Sequence, residues 1–126
     1  KNGESTVELW GTGSASREFL YVDDCASAIS QSLERDTTPH PINVGTCSEI
    51  TIKKLAETLA DIMGYEGGVA FNSNYPDGQP RRCLDTSRAY KVLGFEAKTE
   101  LYKGLKETVS WFYKNEGKFV DHFNNI

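Results

Sequence analysis

From position 10 to position 24 the chain reads Trp-Gly-Thr-Gly-Ser-Ala-Ser-Arg-Glu-Phe-Leu-Tyr-Val-Asp-Asp, and no other stretch restricts the fold as much. Gly11 and Gly13 make a loop whose backbone can approach a neighbour closely. An alternating run over 17–22 then predicts a strand, with Phe19 and Tyr21 on one face and Leu20 and Val22 on the other. Asp23 or Asp24 opens a helix, because a short carboxylate accepts from the free N–H groups of a first turn. Loop, strand and helix are thus expected in immediate succession, with an indole (Trp10) and a guanidinium (Arg17) beside the loop. Such an arginine suits a diphosphate, since its planar fork presents donors that match phosphate oxygens in pairs.

The rest of the chain supplies short strands and further helices. A strand is expected over 7–10, and the helix after Val22 carries Val22, Cys25, Ala26, Ile29 and Leu33 at helical spacing. It ends in Arg35-Asp-Thr-Thr-Pro39, and 41–45 reads as a buried strand closing on Gly45. The clearest helix covers 51–63. Thr51 is its N-cap, Ile52, Leu55, Ala56, Leu59, Ala60 and Met63 form its stripe, and Gly64 ends it. A strand over 69–71 precedes a loop over 72–80 rich in Asn, Pro, Asp and Gly, a natural place for ligand contacts. An extended stretch over 83–85 leads to a short helix over 87–93, stopped by Gly94. A last helix over 101–112 buries Leu101, Leu105, Val109 and Phe112. The expectation is a small mixed α/β domain, 1–126, of short strands and about four helices.

Composition removes several classes of function. The 126 residues are 38% hydrophobic and 25% charged, ordinary for a globular domain with a modest core. The net charge is −4 and the basic residues are scattered, which argues against nucleic acid as a partner. No apolar run reaches the length of a membrane span, and no signal peptide is visible. A chain opening on Lys1, with its one methionine at position 63, reads as a piece of a longer protein. Three cysteines, Cys25, Cys47 and Cys83, fit neither a zinc site nor a disulfide framework and point to a reducing, cytoplasmic setting. Cys25 and Cys83 read as small core residues, and His40 and His122 as surface residues.

Three motifs need weighing. Gly11-Thr-Gly13 lacks the third glycine of a dinucleotide loop, having Ser16 there, and an extended segment follows where a helix is required. It is rejected as a cofactor loop. Tyr102-Lys-Gly-Leu-Lys106 matches Tyr-x-x-x-Lys, but it lies on a core-facing helix stripe and reads as coincidence. Arg81 and Arg82 are adjacent in extended chain, so they point to opposite sides and one of them at most faces a given pocket.

Taken in order, four blocks resemble one family. They are Trp10-Gly-Thr-Gly-x-x-x-Arg17-Glu-Phe-Leu-Tyr-Val-Asp-Asp24, and Ile42-Asn-Val-Gly-Thr46 with Ile50-Thr-Ile-Lys-Lys-Leu-Ala56. Then come Pro76-Asp-Gly-x-Pro-Arg-Arg82 with Leu84-Asp85 and Ser87-Arg88, and Leu93-Gly-Phe95 with Gly104-Leu105 and Thr108-Val-x-Trp-Phe112. They are similar to the C-terminal, substrate-binding part of extended short-chain dehydrogenase/reductases acting on nucleotide sugars. This is the NAD-dependent epimerase/dehydratase family, nearest its GDP-L-fucose synthase-like branch. The resemblance implies that Trp10 contacts substrate, Arg17 grips the diphosphate, Asp77 lies on the nucleotide side and Arg82 stands where a lysine is more usual. Cys47 stands where the family usually has glycine. The Rossmann half, with its cofactor loop and catalytic Tyr-x-x-x-Lys, is absent. NAD(P) is therefore implied for a parent enzyme rather than for this chain, and no catalytic or metal-binding residue is assigned. The helix after Val22 and the stretch 42–44 would pack on that half. A face around Ile29, Leu33, Ile42 and Val44 is then expected to be exposed in this chain and to drive self-association.

Overall fold

The computed structural model describes residues 6–35 and 39–123, with side chains described as far as residue 116. Two chain segments lie side by side along most of their length. β1 (Thr6–Trp10) pairs in parallel with β4 (Gly68–Asn72), Thr6 opposite Gly68 and Trp10 opposite Asn72. Beyond the loops that follow, β2 (Ser16–Arg17) pairs in parallel with β5 (Arg81–Arg82) and antiparallel with β3 (Ile50–Thr51). The sheets are thus a parallel pair and a short three-stranded patch ordered β3-β2-β5.

Four helices stand among the described residues: α1 (Val22–Glu34), α2 (Ile52–Met63), α3 (Ser87–Leu93) and α4 (Leu101–Phe123). α2 forms for the local reasons its sequence states. Thr51 Oγ1 accepts from the Lys54 N–H at 3.1 Å, and Gly64 closes the helix at φ 61°. The Tyr65 N–H returns to the Ala60 carbonyl and the Gly64 N–H to Asp61, satisfying two of the free acceptors at that end. Met63 is the exception on its stripe, being exposed. At α3, Gly94 takes φ 65°, and the next residue, Phe95, donates its N–H to Ala89. That turn drives Phe95 into the core, which is built from Ala28 of α1, Ala89 and Leu93 of α3, and Phe95 itself. Leu20, Ile42, Val44, Val92 and Ala97 pack around it.

Several expectations change against this packing. The strand expected over 17–22 stops at Arg17, because its partners β3 and β5 are themselves two residues long. Tyr21 becomes the N-cap and Val22 the first helical residue. Neither Asp23 nor Asp24 caps α1 through its side chain. The stretch 41–45 joins no sheet among the described residues. The apolar spacing of α1 is real, yet Val22, Ile29 and Leu33 are exposed while Ala28 is buried. The expected exposed face thus holds at Ile29 and Leu33, whereas Ile42 and Val44 cover the core. α4 runs beyond residue 112, and Phe112 is exposed instead of buried. Cys47 takes φ 56°, a left-handed conformation natural to glycine, with Sγ 2.9 Å from Thr86 Oγ1. His40 is exposed, and the side chain of His122 lies outside the described residues.

Asp24 has another task. Its side chain is 8% exposed and accepts the Thr99 N–H at 2.9 Å, tying α1 to the segment before α4. Burial pushes its carboxyl pKa up, but hydrogen bonds from Thr99 and Lys98 and the Lys98 charge outweigh burial and hold it below the ordinary value. A depressed folded pKa means stability present above the unfolded value and lost as pH falls through the folded one. Asp24→Asn is therefore expected to melt earlier than the parent chain at neutral pH. The gap should narrow below about pH 4, near the unperturbed aspartate value. Melting curves of the two proteins at several pH values decide it; a gap constant down to acid pH contradicts it.

Candidate functional site

The four residues singled out from sequence all lie on the doubled ribbon formed by segments 6–17 and 68–82. Trp10 ends β1 opposite Asn72, and the Gly11 N–H donates to the Asn72 carbonyl at 2.9 Å. Five residues further on, the Ser16 N–H donates to the Pro80 carbonyl at 2.9 Å, and the segments pair again as β2 and β5. Between these ties the two loops are held together by Asp77. Its carboxylate accepts the Thr12 N–H and the Thr12 hydroxyl, each at 2.6 Å, and reaches the Ser14 hydroxyl at 3.5 Å. The Thr12 side-chain and backbone bonds hold its pKa below the ordinary carboxylate value. Gly11, at φ 83°, sits so close to the Asp77 carboxylate that an added Cβ would collide with it. The glycine motif therefore serves a close loop-to-loop approach. It opens onto β2 and not onto a helix N-terminus, the arrangement a dinucleotide cradle needs.

The arginines separate by strand alternation, as expected from their adjacency. Arg81, in register with Ser16, turns to Glu49, with Nε 2.9 Å and 3.0 Å from its carboxylate oxygens. Ser16 donates to the same carboxylate at 2.7 Å. The hydrogen bond from Arg81 is the main reason the Glu49 carboxyl lies below its usual pKa. Arg82 is in register with Arg17. Paired residues on neighbouring strands share a face, with the strands about 4.8 Å apart, so two guanidinium stems rise side by side. Arg17 Nη1 donates to the Ser16 carbonyl at 2.6 Å. Among the described residues no carboxylate pairs with Arg17 or Arg82. Two adjacent like charges without a counter-charge attract an anion.

At the other end of the ribbon Trp10 stacks on Tyr75, a residue the sequence reading passed over. An aromatic next to Pro76 in a polar loop was the available signal. Glu49 gave none, being 32 positions from its partner Arg81. Tyr102 of the Tyr-x-x-x-Lys match is exposed on α4. Two concavities lie apart from the ribbon. One of about 370 Å³ is lined by Phe19, Thr46, Ser48 and 97–101, and another of about 310 Å³ lies beside Cys47, Tyr90 and Phe95. Neither contains Trp10, Arg17, Asp77 or Arg82.

Cys83 departs from its expected core role. Its Sγ donates to Glu18 at 3.3 Å, and this bond, with burial and the nearby carboxylate charge, pushes the thiol up to about 11. Only the thiolate is nucleophilic. At pH 8 Cys83 is expected to alkylate roughly a hundredfold more slowly than an ordinary thiol, and Glu18→Gln to quicken it. Mass-resolved labelling of the three cysteines measures this, and an ordinary rate at Cys83 would contradict the assignment.

The fold matches part of the Rossmann-like fold of solved epimerases and reductases. It superposes on a UDP-glucose 4-epimerase from Thermotoga maritima, solved with UDP-glucose, at a TM-score of 0.79 and 31% identity. That match covers 87% of this chain and 35% of the other. A GDP-mannoheptose C4 reductase from Campylobacter jejuni, solved with NADP bound, matches at a TM-score of 0.74 and 31% identity over 86% of this chain and 35% of that one. The model of the NAD dependent epimerase/dehydratase family matches residues 1–45 of this chain. The chain is similar to GDP-L-fucose synthase 1 of Arabidopsis thaliana, at 41% identity over 114 residues, 90% of this chain and 35% of that protein. The chain thus spans about a third of the length of the relatives it matches. No helix among the described residues is long and apolar enough to cross a membrane.

Proposed function

We propose that this chain is the nucleotide-sugar-binding domain, C-terminal in its parent, of an NAD(P)-dependent nucleotide-sugar epimerase or reductase of the GDP-L-fucose synthase-like kind. The observation that carries this reading is the register of Arg17 with Arg82 on one face of β2 and β5, with no carboxylate paired to either among the described residues. Two forks at strand spacing match the two phosphates of a nucleoside diphosphate. Trp10 offers a ring face at the same ribbon for the base or sugar. Asp77 holds the two loops in register and so acts on the nucleotide side through Thr12. NAD(P) supplies hydride transfer in such enzymes, and the Gly11–Gly13 turn does not fit it. Our reading leaves cofactor and catalytic groups to a Rossmann half outside this chain, while this chain orients the substrate.

The exposed stripe Val22, Ile29 and Leu33 on α1 supports a face covered in the working protein, by that half or by a second copy. Three free cysteines accord with a cytoplasmic setting. Calorimetric titration with GDP, UDP and the matching monophosphates tests the proposal. One diphosphate is expected to bind with unit stoichiometry, more tightly than its monophosphate, and to weaken as salt rises. Absence of heat with either diphosphate at millimolar concentration overturns it.

A further inference from the structure

Trp10 is 70% exposed and Tyr75 42% exposed, yet their rings lie parallel within 11° with centroids 4.5 Å apart. An indole so open to water ordinarily samples several rotamers. Here one of its faces is covered by the phenol ring and the other is left to solvent. The backbone that carries the phenol is itself tied down. The Tyr75 N–H donates to the Asn72 carbonyl at 3.2 Å, and the Asn74 N–H donates to Asn72 Oδ1 at 3.1 Å. Asn72 is the residue opposite Trp10 in the β1–β4 ladder. One residue therefore sets the origin of both rings, and Asp77, two positions after Tyr75, fastens the same loop to Thr12.

We propose that Tyr75 is a positioning residue for ligand recognition: it pins the Trp10 indole so that the free face is presented to the ring of a nucleotide sugar held at Arg17 and Arg82. This rests on the reading given under Proposed function and adds a determinant to it. Ordering a mobile side chain on binding lowers affinity by roughly threefold to tenfold, and an indole fixed beforehand avoids that loss. A near-parallel aromatic pair is itself a favourable contact, so the preset state persists without ligand. Tyr75 makes its contribution through Trp10 and need not touch the ligand.

The test uses Trp111→Phe as the background, which leaves Trp10 as the one indole. Tyr75→Ala and Tyr75→Phe are made in it. Without ligand, Tyr75→Ala is expected to raise acrylamide quenching of Trp10 about twofold and to lose near-ultraviolet dichroism from the ring pair, while Tyr75→Phe retains both. With GDP-mannose or UDP-glucose, whichever the background protein binds, Tyr75→Ala is expected to bind roughly threefold to tenfold more weakly and Tyr75→Phe to bind normally. Unchanged affinity in Tyr75→Ala, with its quenching raised, overturns this inference and leaves the diphosphate reading standing. Equal quenching in all three proteins overturns it as well. Absence of binding by the background protein defeats the nucleotide-sugar reading and this inference with it.

Discussion

Phe95→Ala is expected to destabilise the domain by about 3–5 kcal/mol, the range for emptying a buried phenylalanine site. Phe95 is 3% exposed and touches the meeting point of α1 and α3, with Leu20, Ile42 and Val44 packed around the cluster. Its neighbours in that cluster are Ala28, Ala89 and Leu93, so no other aromatic there fills the space. The core is thin for the chain's length, and Ala89 at 0% exposure offers no methylene to move into the cavity. Native domains hold about 5–15 kcal/mol in all, so such a loss removes much of the margin. Phe95→Leu, which keeps most of the volume, is expected to cost about 1.5 kcal/mol or less. Urea unfolding of the three proteins, followed by far-ultraviolet dichroism, gives the comparison. A Phe95→Ala midpoint close to that of Phe95→Leu would show that the packing has another centre.

The second large effect is on binding. Removing both Arg17 and Arg82 is expected to weaken nucleoside diphosphate binding by at least about a hundredfold, and either alone by about tenfold. Charge-assisted hydrogen bonds contribute about 1.5–3 kcal/mol each, which sets that scale. Arg81→Ala is the contrasting variant. Arg81 lies next in sequence to Arg82 but is occupied by Glu49, so its loss is expected to change affinity about threefold at most. Arg81→Ala and Arg82→Ala lose the same charge from neighbouring positions and differ chiefly in which face of β5 loses it. If Arg81→Ala weakened binding as much as Arg82→Ala, net charge and not the Arg17–Arg82 register would govern recognition. Arg17→Lys and Arg82→Lys add a further reading, because a lysine keeps the charge and loses the fork.

Local signals in this sequence were reliable where the physics was local. The Thr51 cap, the α2 stripe and Gly64 act within a turn or two of helix, and each is found in place. The same holds for Gly94 after α3 and for the strand before the loop 72–80. Alternation along β5 likewise foretold that Arg81 and Arg82 would part company. The errors fall where a partner decides. The length of β2 is set by two-residue neighbours from positions 50 and 81, which no property of 17–22 announces. Asp24 reads locally as a cap, but Thr99, 75 positions away, takes its carboxylate.

The candidate site divides in the same way. Its residue types, an indole, paired guanidinium groups and glycines in loops, were written in the sequence together with their blocks. Tyr75 beneath Trp10, Glu49 on Arg81 and Asp77 bridging to Thr12 came from distant pairings. The sequence by itself determined where the helices fall, both ends of α2, the end of α3 and the chemistry available, because caps, periodicity and side-chain type are properties of neighbouring residues. Tertiary structure decided which groups meet. Parallel pairing of β1 with β4 and β2 with β5 places side by side residues more than 60 positions apart, and the register of that pairing selects Arg82 over Arg81 as the neighbour of Arg17.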